Sequence, residues 1–360
     1  MKKLIHKIFL GINIIFALSL LISYLAVHIN PGDFIIPAFF GLAYPYLLII
    51  NIIFVVIWAV RLRPEAFISL GIILAGFSHF SDYIQLFKTK ESTPGNILVM
   101  SYNIRLFNYY KGSGIGNTEN DILTLIRSHR PDILCLQELY INGDANKKDD
   151  EIKQKLGGNL YSHIKLIGSG KNKFYGIATY TKYKIVHRGE ISFPRSSSLS
   201  IFTDVVVGND TFRIFNSQLQ SFRLKKTERS FFEELFDQED KQKIREIMTL
   251  SKSLRKGFAD RSLQALTLKD YIVNSPYPVI VAGDFNDTPV SYTYRKIRKG
   301  LKDSFVVSGY GAGFTYRGNY PPNRIDYILY DDSLESTKFE ILRVKYSDHY
   351  PVMAWFRKTN

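Results

Sequence analysis

The chain has 360 residues, 46% of them hydrophobic, and a formal net charge of +14. That length suits one large domain or two ordinary ones. Its single cysteine, Cys135, excludes an intramolecular disulfide, and the lack of a Walker loop or dinucleotide glycine motif argues against a nucleotide-driven transporter or a dehydrogenase.

The apolar residues are unevenly spread. No charged residue occurs from Ile8 to Gly32, nor from Phe34 to Val60. Each run exceeds the roughly 20 residues a helix needs to cross the hydrocarbon layer. Pro37 and Pro45 fall near the start of the second run, where they are better tolerated than in its middle. A third stretch, Ala66 to Ser81, extends to Phe87 if Asp82 lies at the interface. Residues 1–87 thus read as a transmembrane region of about three helices, 8–28, 38–60 and 66–86. Lys2, Lys3, Lys7, Arg61 and Arg63 flank alternate ends of these spans, and the Asn30–Asp33 loop has no positive charge. The positive-inside bias puts the amino terminus in the cytoplasm, and three spans put everything after residue 88 on the outer side of the cell membrane. The spans hold no Asp, Glu, Lys or Arg that would mark an ion path, so a transporter is disfavoured. Residues 88–96 read as a linker, polar with Pro94 and Gly95.

Residues 95–360 carry 40 Lys/Arg against 29 Asp/Glu, a net +11. A basic soluble part suggests an anionic partner: nucleic acid, acidic lipid or a phosphorylated small molecule. Nothing points to a protein partner. The first strand, Ile97 to Ile104, is apolar and carries Asn103 near its end. Thr118 is placed to cap a helix with Ile122, Leu125 and Ile126 as its buried stripe. Asp132 to Gln137 forms the next strand, with a buried Cys135, and Glu138 stands at its end. Residues 141–160 read as an exposed loop with a short helix. Strands follow at Gly176 to Tyr180 and Lys184 to Ile191, then a hairpin of Ile201 to Val207 and Thr211 to Ser217 around Gly208-Asn209-Asp210. That hairpin leads into Asn216-Ser217-Gln218. Residues 222–260 have the pattern of an amphipathic helix on the flank of the domain, and a further helix covers about Ser262 to Val273.

Val279 to Ala282 then forms a buried strand that runs into Gly283-Asp284-Phe285-Asn286-Asp287. Alternation along an extended segment points Asp284 and Asn286 the same way. A strand enters from a Pro-rich loop at Asn323 to Tyr330 and carries Asp326. Tyr346 to Val352, with Asp348 and His349, precedes a last strand to Phe356. The polar residues at strand ends could supply hard oxygen ligands for Mg²⁺ or Mn²⁺, a carboxylate for a water and a His–Asp pair. No His/Cys cluster has zinc spacing.

In these motifs the chain resembles the endonuclease/exonuclease/phosphatase superfamily over about residues 97–358. The matching runs, in order, are Met100-Ser101-Tyr102-Asn103-Ile104, Asp132 to Glu138, Gly283-Asp284-Phe285-Asn286, Arg324-Ile325-Asp326-Tyr327-Ile328 and Ser347-Asp348-His349-Tyr350-Pro351-Val352. The resemblance implies an α+β fold: a four-layer α/β/β/α sandwich of two mixed sheets. It implies Glu138 as the metal-binding carboxylate, with Asn103 and Asp348 at the metal. Asp284 would position or activate water, Asn286 would hold the phosphate, and Asp326 would orient the catalytic His349. Asn216 and Gln218 would lie at the substrate phosphate. The implied activity is metal-assisted hydrolysis of a phosphate ester, on a lipid headgroup, nucleic acid or small phosphorylated molecule. A tethered nuclease and a non-catalytic membrane scaffold are the alternatives. The chain departs from the family at Gln218, where many members have His; a glutamine can donate a hydrogen bond but cannot carry positive charge.

Overall fold

The computed structural model describes every residue except 1, 88–94, 112–114, 169–171, 195, 197, 223–239, 319–321 and 360, with side chains at 109–111, 115–117 and 240–247 also outside it. Most of the linker at 88–96, and residues 223–239 of the 222–260 segment, therefore lie outside the described residues.

The amino-terminal region is helical: α1 (Lys2–Tyr24), α2 (Ile36–Leu42), α3 (Tyr44–Val60), α4 (Ala66–Ala75) and α5 (Phe77–Ser81). One continuous helical stretch, Lys2–Val27, is long and apolar enough to cross a membrane; α2 and α3 qualify only as a pair, bent by 68°. The expected span at 38–60 is thus broken. Pro45 sits in the first turn of α3, where it has no N–H to continue the ladder from α2. The expected span at 66–86 is also interrupted, by Gly76, and ends in a short strand, β1 (Ile84–Gln85).

The bundle buries polar side chains within an apolar interior and leaves large apolar residues exposed. Asn13, Asn51 and Ser69 are fully buried, whereas Ile8, Ile15, Leu18, Ile49, Ile53, Val56 and Phe67 are exposed. The Asn13 amide donates to Ser69 Oγ at 2.6 Å, and Ser69 Oγ donates to Asn51 Oδ1 at 2.8 Å. The Trp58 indole donates to Asn13 Oδ1 at 2.9 Å, so hydrogen bonds tie α1, α3 and α4 together.

The remainder forms two six-stranded sheets. One contains β2 (Ile97–Asn103), β3 (Ile133–Asn142), β4 (Tyr161–Gly168) and β5 (Lys173–Thr181), together with two late strands, β13 (Leu334–Ile341) and β14 (Val352–Lys358). Its order is β13-β14-β2-β3-β5-β4. The other contains β6 (Lys184–Ile191), β7 (Leu199–Val207), β8 (Asp210–Gln218), β9 (Val279–Asp284), β10 (Lys302–Asp303) and β12 (Asp326–Tyr330), in the order β10-β12-β9-β8-β7-β6. Each sheet has one parallel pair at its centre, β2 with β3 and β8 with β9. β1 pairs outside both sheets with β11 (Gly311–Ala312).

Apolar alternation along these strands builds three layers of core. Val99, Cys135, Ile214, Ile280, Ile328 and Ala354 pack between the sheets. Met100, Leu134 and Leu136 face α6 (Ile115–His129) and α7 (Ala145–Leu156). Phe215, Val281 and Leu329 face α8 (Asp240–Val273) and α9 (Tyr292–Arg298) on the far side. The fold is the four-layer α+β sandwich. Edge strands β4 and β13 were not legible in the sequence, and α8 runs without a break where two elements were expected. The helix inside 141–160 is a full α7, capped by Asp144, whose carboxylate accepts from the Asn146 and Lys147 amides.

The bundle docks on this sandwich. A Cβ at Gly41 would lie 2.3 Å from the Val290 carbonyl, so only glycine permits the approach of α2. Arg298 pairs with Asp82 at 2.5 Å, and Arg324 donates to the Asp82 carbonyl at 2.8 Å.

Candidate active site

The carboxyl ends of both central parallel pairs meet at one edge of the sandwich, the place where open α/β sheets bind ligands. β9 ends in Asp284, and the antiparallel register of β12 sets Asp326 directly opposite it. Gly283 adopts φ +146°, and a Cβ there would lie 1.9 Å from the Ser217 carbonyl, so glycine lets β9 close against β8. Asp284 and Asp326 are each 1% exposed.

His349 joins these two carboxylates. Its Nδ1 is 3.0 Å from Asp326 Oδ2, and its Nε2 is 3.9 Å from Asp284 Oδ2. Burial alone would lower the His349 pKa, but Asp326 and then Asp284 outweigh it and push the imidazole up to about 10. Burial pushes the Asp284 carboxyl up to about 7, against the pull of His349. Asp326 therefore fixes the tautomer that points Nε2 toward Asp284. The Tyr316 ring stands edge-on to His349 at 5.1 Å.

Asp284 is held in turn. Its Oδ1 accepts from the Asn286 backbone at 2.8 Å, and its Oδ2 accepts from the Asn286 and Asn103 side chains at 3.0 Å each. Asn286 has φ +52°, a left-handed turn that brings its amide back onto Asp284. The shared direction of these side chains holds, but the turn produces it rather than strand alternation. The Asn286 amide also donates to the Leu219 carbonyl at 3.0 Å.

Glu138 lies within β3 and not at its end. The β3–β5 register shifts between Leu136 and Leu139, and Glu138 has φ +53°. The bulge adds one residue, so that Gln137 can face the inter-sheet layer while Leu139 returns to the α6 side. Bulges re-aim side chains in this way beside active sites. Glu138 Oε1 accepts from Gln218 at 2.9 Å and from Asn103 at 3.2 Å. Burial raises its pKa; His349 and the Asn103 amide oppose the rise.

One expected role is corrected. Asn216 is fully buried, donates to the Ala178 carbonyl at 2.8 Å and accepts from Gln137 at 2.8 Å. It ties the sheets together one layer beneath Gln218 and cannot reach a substrate phosphate. Asn103 turns its amide nitrogen to Glu138 and Asp284, while its oxygen accepts from the Arg105 backbone at 3.0 Å. Gln218 donates to Glu138 at 2.9 Å, and its amide has a second N–H. Asp348 is half-buried and pairs with Arg105 at 3.2 Å.

Sequence reasoning missed Arg105, Ser347 and Thr315. Arg105 begins a run of four positive-φ residues, Arg105 to Asn108, with no glycine to signal it. Ser347 Oγ donates to the Asn103 carbonyl at 2.8 Å. Thr315 Oγ1 accepts from the Asp326 amide at 3.1 Å and so fixes the start of β12.

The donor set suits a hard divalent cation. Glu138 offers carboxylate oxygen at a half-buried bulge. Ligand atoms of Asp284, Asp326 and His349 also lie within 4.8 Å of one another, but the Asp326–His349 hydrogen bond makes that trio a dyad with its neighbour.

A family model for the endonuclease/exonuclease/phosphatase family matches residues 100–349. The chain belongs to that family. Its members are hydrolases of phosphoester bonds and are generally divalent-metal dependent. A second model, a domain of unknown function (DUF8431), matches residues 6–83. Among solved structures, the human Nocturnin catalytic domain with bound sulfate is similar at 18% identity and TM-score 0.55, covering 76% of this chain and 97% of that one. A family protein from Bacteroides thetaiotaomicron is similar at 20% identity and TM-score 0.52, covering 74% and 98%. A mannosyl-6-phosphatase from Bacteroides thetaiotaomicron is similar at 20% identity and TM-score 0.51, covering 72% and 99%. These likenesses concern the fold. No curated protein matches the chain.

Proposed function

We propose that this endonuclease/exonuclease/phosphatase-family chain is a membrane-anchored, divalent-metal-dependent phosphoesterase. The observation that supports it most is the buried line Asp326–His349–Asp284 set beside Glu138. Glu138, with Asp348 alongside, would hold Mg²⁺ or Mn²⁺, which would supply charge neutralisation at a phosphoryl oxygen. Asp284 accepts the proton of the attacking water. His349, held through Nδ1 by Asp326, donates from Nε2 to the phosphoryl oxygen. Asn103 and Gln218 keep the carboxylates in place, and Asn286 orients Asp284.

The exposed apolar shell of α1 and α3 around a buried polar cluster supports anchoring, since lipid removes the penalty for apolar exposure and favours internal hydrogen bonds. Lys2, Lys3, Lys7, Arg61 and Arg63 belong to the end of the bundle away from the catalytic domain, and by the positive-inside bias that domain would sit on the outer face. An anchored site favours a lipid headgroup phosphodiester. The net +11 of residues 95–360 favours nucleic acid as the second reading.

Purified full-length protein with Mg²⁺ is tested on phospholipid vesicles, DNA and sugar phosphates, with Asp284→Ala as the blank. Turnover of lipid supports the first reading, and turnover of DNA alone supports a tethered nuclease. No turnover on any arm with Mg²⁺ bound overturns catalysis and leaves a scaffold.

A further inference from the structure

The junction between the helical bundle and the catalytic sandwich encloses a cavity of about 340 Å³. Val27, Ser78 and His79 line it from the bundle; Arg295, Arg298 and Lys299 line it from α9 and the turn that follows. A second cavity of about 600 Å³ opens on the other side of the same turn and takes in Lys269 and Lys296. Five cations therefore crowd one short stretch of surface, and none belongs to the catalytic cleft.

Only part of this charge is neutralised within the chain. Arg298 has Asp82. The Lys269 ammonium donates to the Lys299 carbonyl. Asp331, at the second cavity, is used by the Val279 amide and by Ser333. Among the described residues no carboxylate pairs with Arg295, Lys296 or Lys299, and both Arg295 and Lys299 are exposed. Burial, then Lys299 and Lys296, hold Lys269 below the usual lysine range. A like-charge cluster of this kind repels itself until an anion enters it.

The apolar surroundings narrow the choice of anion. Leu25 and Phe77, which flank Val27 and Ser78 in the chain, are 46% and 53% exposed. The cavity lies at the end of the helices that faces the catalytic domain, with Val27 of the apolar bundle on its wall. We infer that the junction cavity binds the phosphate of an anionic phospholipid, with Arg295 and Lys299 on the headgroup and the acyl chains along the apolar bundle. Basic pockets beside membrane helices hold such headgroups. This inference rests on the membrane anchoring proposed above. It assigns the junction a role separate from hydrolysis: a bound lipid would fix how the catalytic domain sits on the bilayer.

The test uses the full-length chain reconstituted into vesicles of phosphatidylcholine with a minor fraction of phosphatidylglycerol. Lipid retained by the released protein is measured by mass spectrometry, for wild type and for Arg295→Gln/Lys299→Gln. Both side chains are exposed, so the variant is expected to fold, and its flotation with vesicles and its helix content check that it does. Wild type should retain phosphatidylglycerol over phosphatidylcholine, and the preference should fall about fivefold for each charge removed. Equal retention of the two lipids by wild type, or an unchanged preference in the folded double variant, overturns the site. Displacement by millimolar inorganic phosphate also overturns it and assigns the cavity to a soluble anion. If wild type floats with neither vesicle type, the anchoring itself fails, an outcome distinct from flotation without preference.

Discussion

Asp284 and His349 carry the reaction at the level of single residues. Asp284→Asn and His349→Ala should each reduce kcat by about 10²- to 10⁴-fold, the range for positioned acid–base groups, with the circular dichroism of the folded chain retained. Both groups have raised folded-state pKa values, Asp284 to about 7 and His349 to about 10. A raised pKa contributes stability that is fully present below the unfolded value and lost as pH rises through the folded one. The metal-free protein should therefore lose stability from about pH 4 to 7 through Asp284 and from about 6.5 to 10 through His349. Thermal melts across pH check this: Asp284→Asn should flatten the lower window and also narrow the upper one, because the Asp284 carboxylate helps raise the His349 pKa. Gln218 donates to Glu138, so Gln218→Ala should weaken metal binding by about 10- to 100-fold, as loss of a ligand's hydrogen-bond partner does. Isothermal titration with Mn²⁺ measures it, and unchanged affinity would separate Gln218 from the metal site. The residues of the Gly-Asp-Phe-Asn and Ser-Asp-His runs were legible because strand-end polar residues break an apolar run. Asn216 was misassigned because sequence spacing gives the face of a side chain and not its depth. The Gln218 bond to Glu138 had no sequence signal because Glu138 lies in the other sheet.

The elements succeed or fail by their patterning. Central strands β2, β3 and β9 are buried on both faces and contain apolar runs, whereas β8 was marked by the Gly208-Asn209-Asp210 turn before it. Edge strands β4 and β13 mix charge with apolar residues, as edges do, and that mixture hid them. The bulge that aims Glu138 also had no signal, because Gln137, Glu138 and Leu139 are ordinary strand residues. The start of β12 depends on a fully buried pair: Arg324 holds Asp303 with both contacts at 2.5 to 2.6 Å. The Tyr294 hydroxyl also donates to Asp303, at 2.7 Å. Removing one partner of a buried pair costs about 3–5 kcal/mol. Arg324→Met should lower stability by that amount in chemical denaturation, and should lower activity as well, since Arg324 stands two residues before Asp326. A variant of wild-type stability would show that the pair is dispensable.

At the scale of the whole molecule, the bundle and the sandwich share a packed boundary. β1 pairs with β11, the Gly313 amide donates to the Tyr83 carbonyl at 2.8 Å, and Phe39 packs edge-on against Phe258 of α8. Charge-free runs announced the helices in the sequence, but their breaks at Ala43 and Gly76 and their docking depend on tertiary contacts that no local pattern encodes. The central claim is that the docked whole hydrolyses phosphate esters with a divalent metal. The most direct measurement is hydrolysis of a chromogenic phosphodiester by the full-length protein in detergent across a Mg²⁺ titration, with Glu138→Ala and Asp284→Ala in parallel. The account predicts saturable, chelator-sensitive turnover in wild type, a higher Mg²⁺ requirement in Glu138→Ala and near-background rates in Asp284→Ala. Turnover that persists in chelator, or that survives intact in Asp284→Ala, would contradict it.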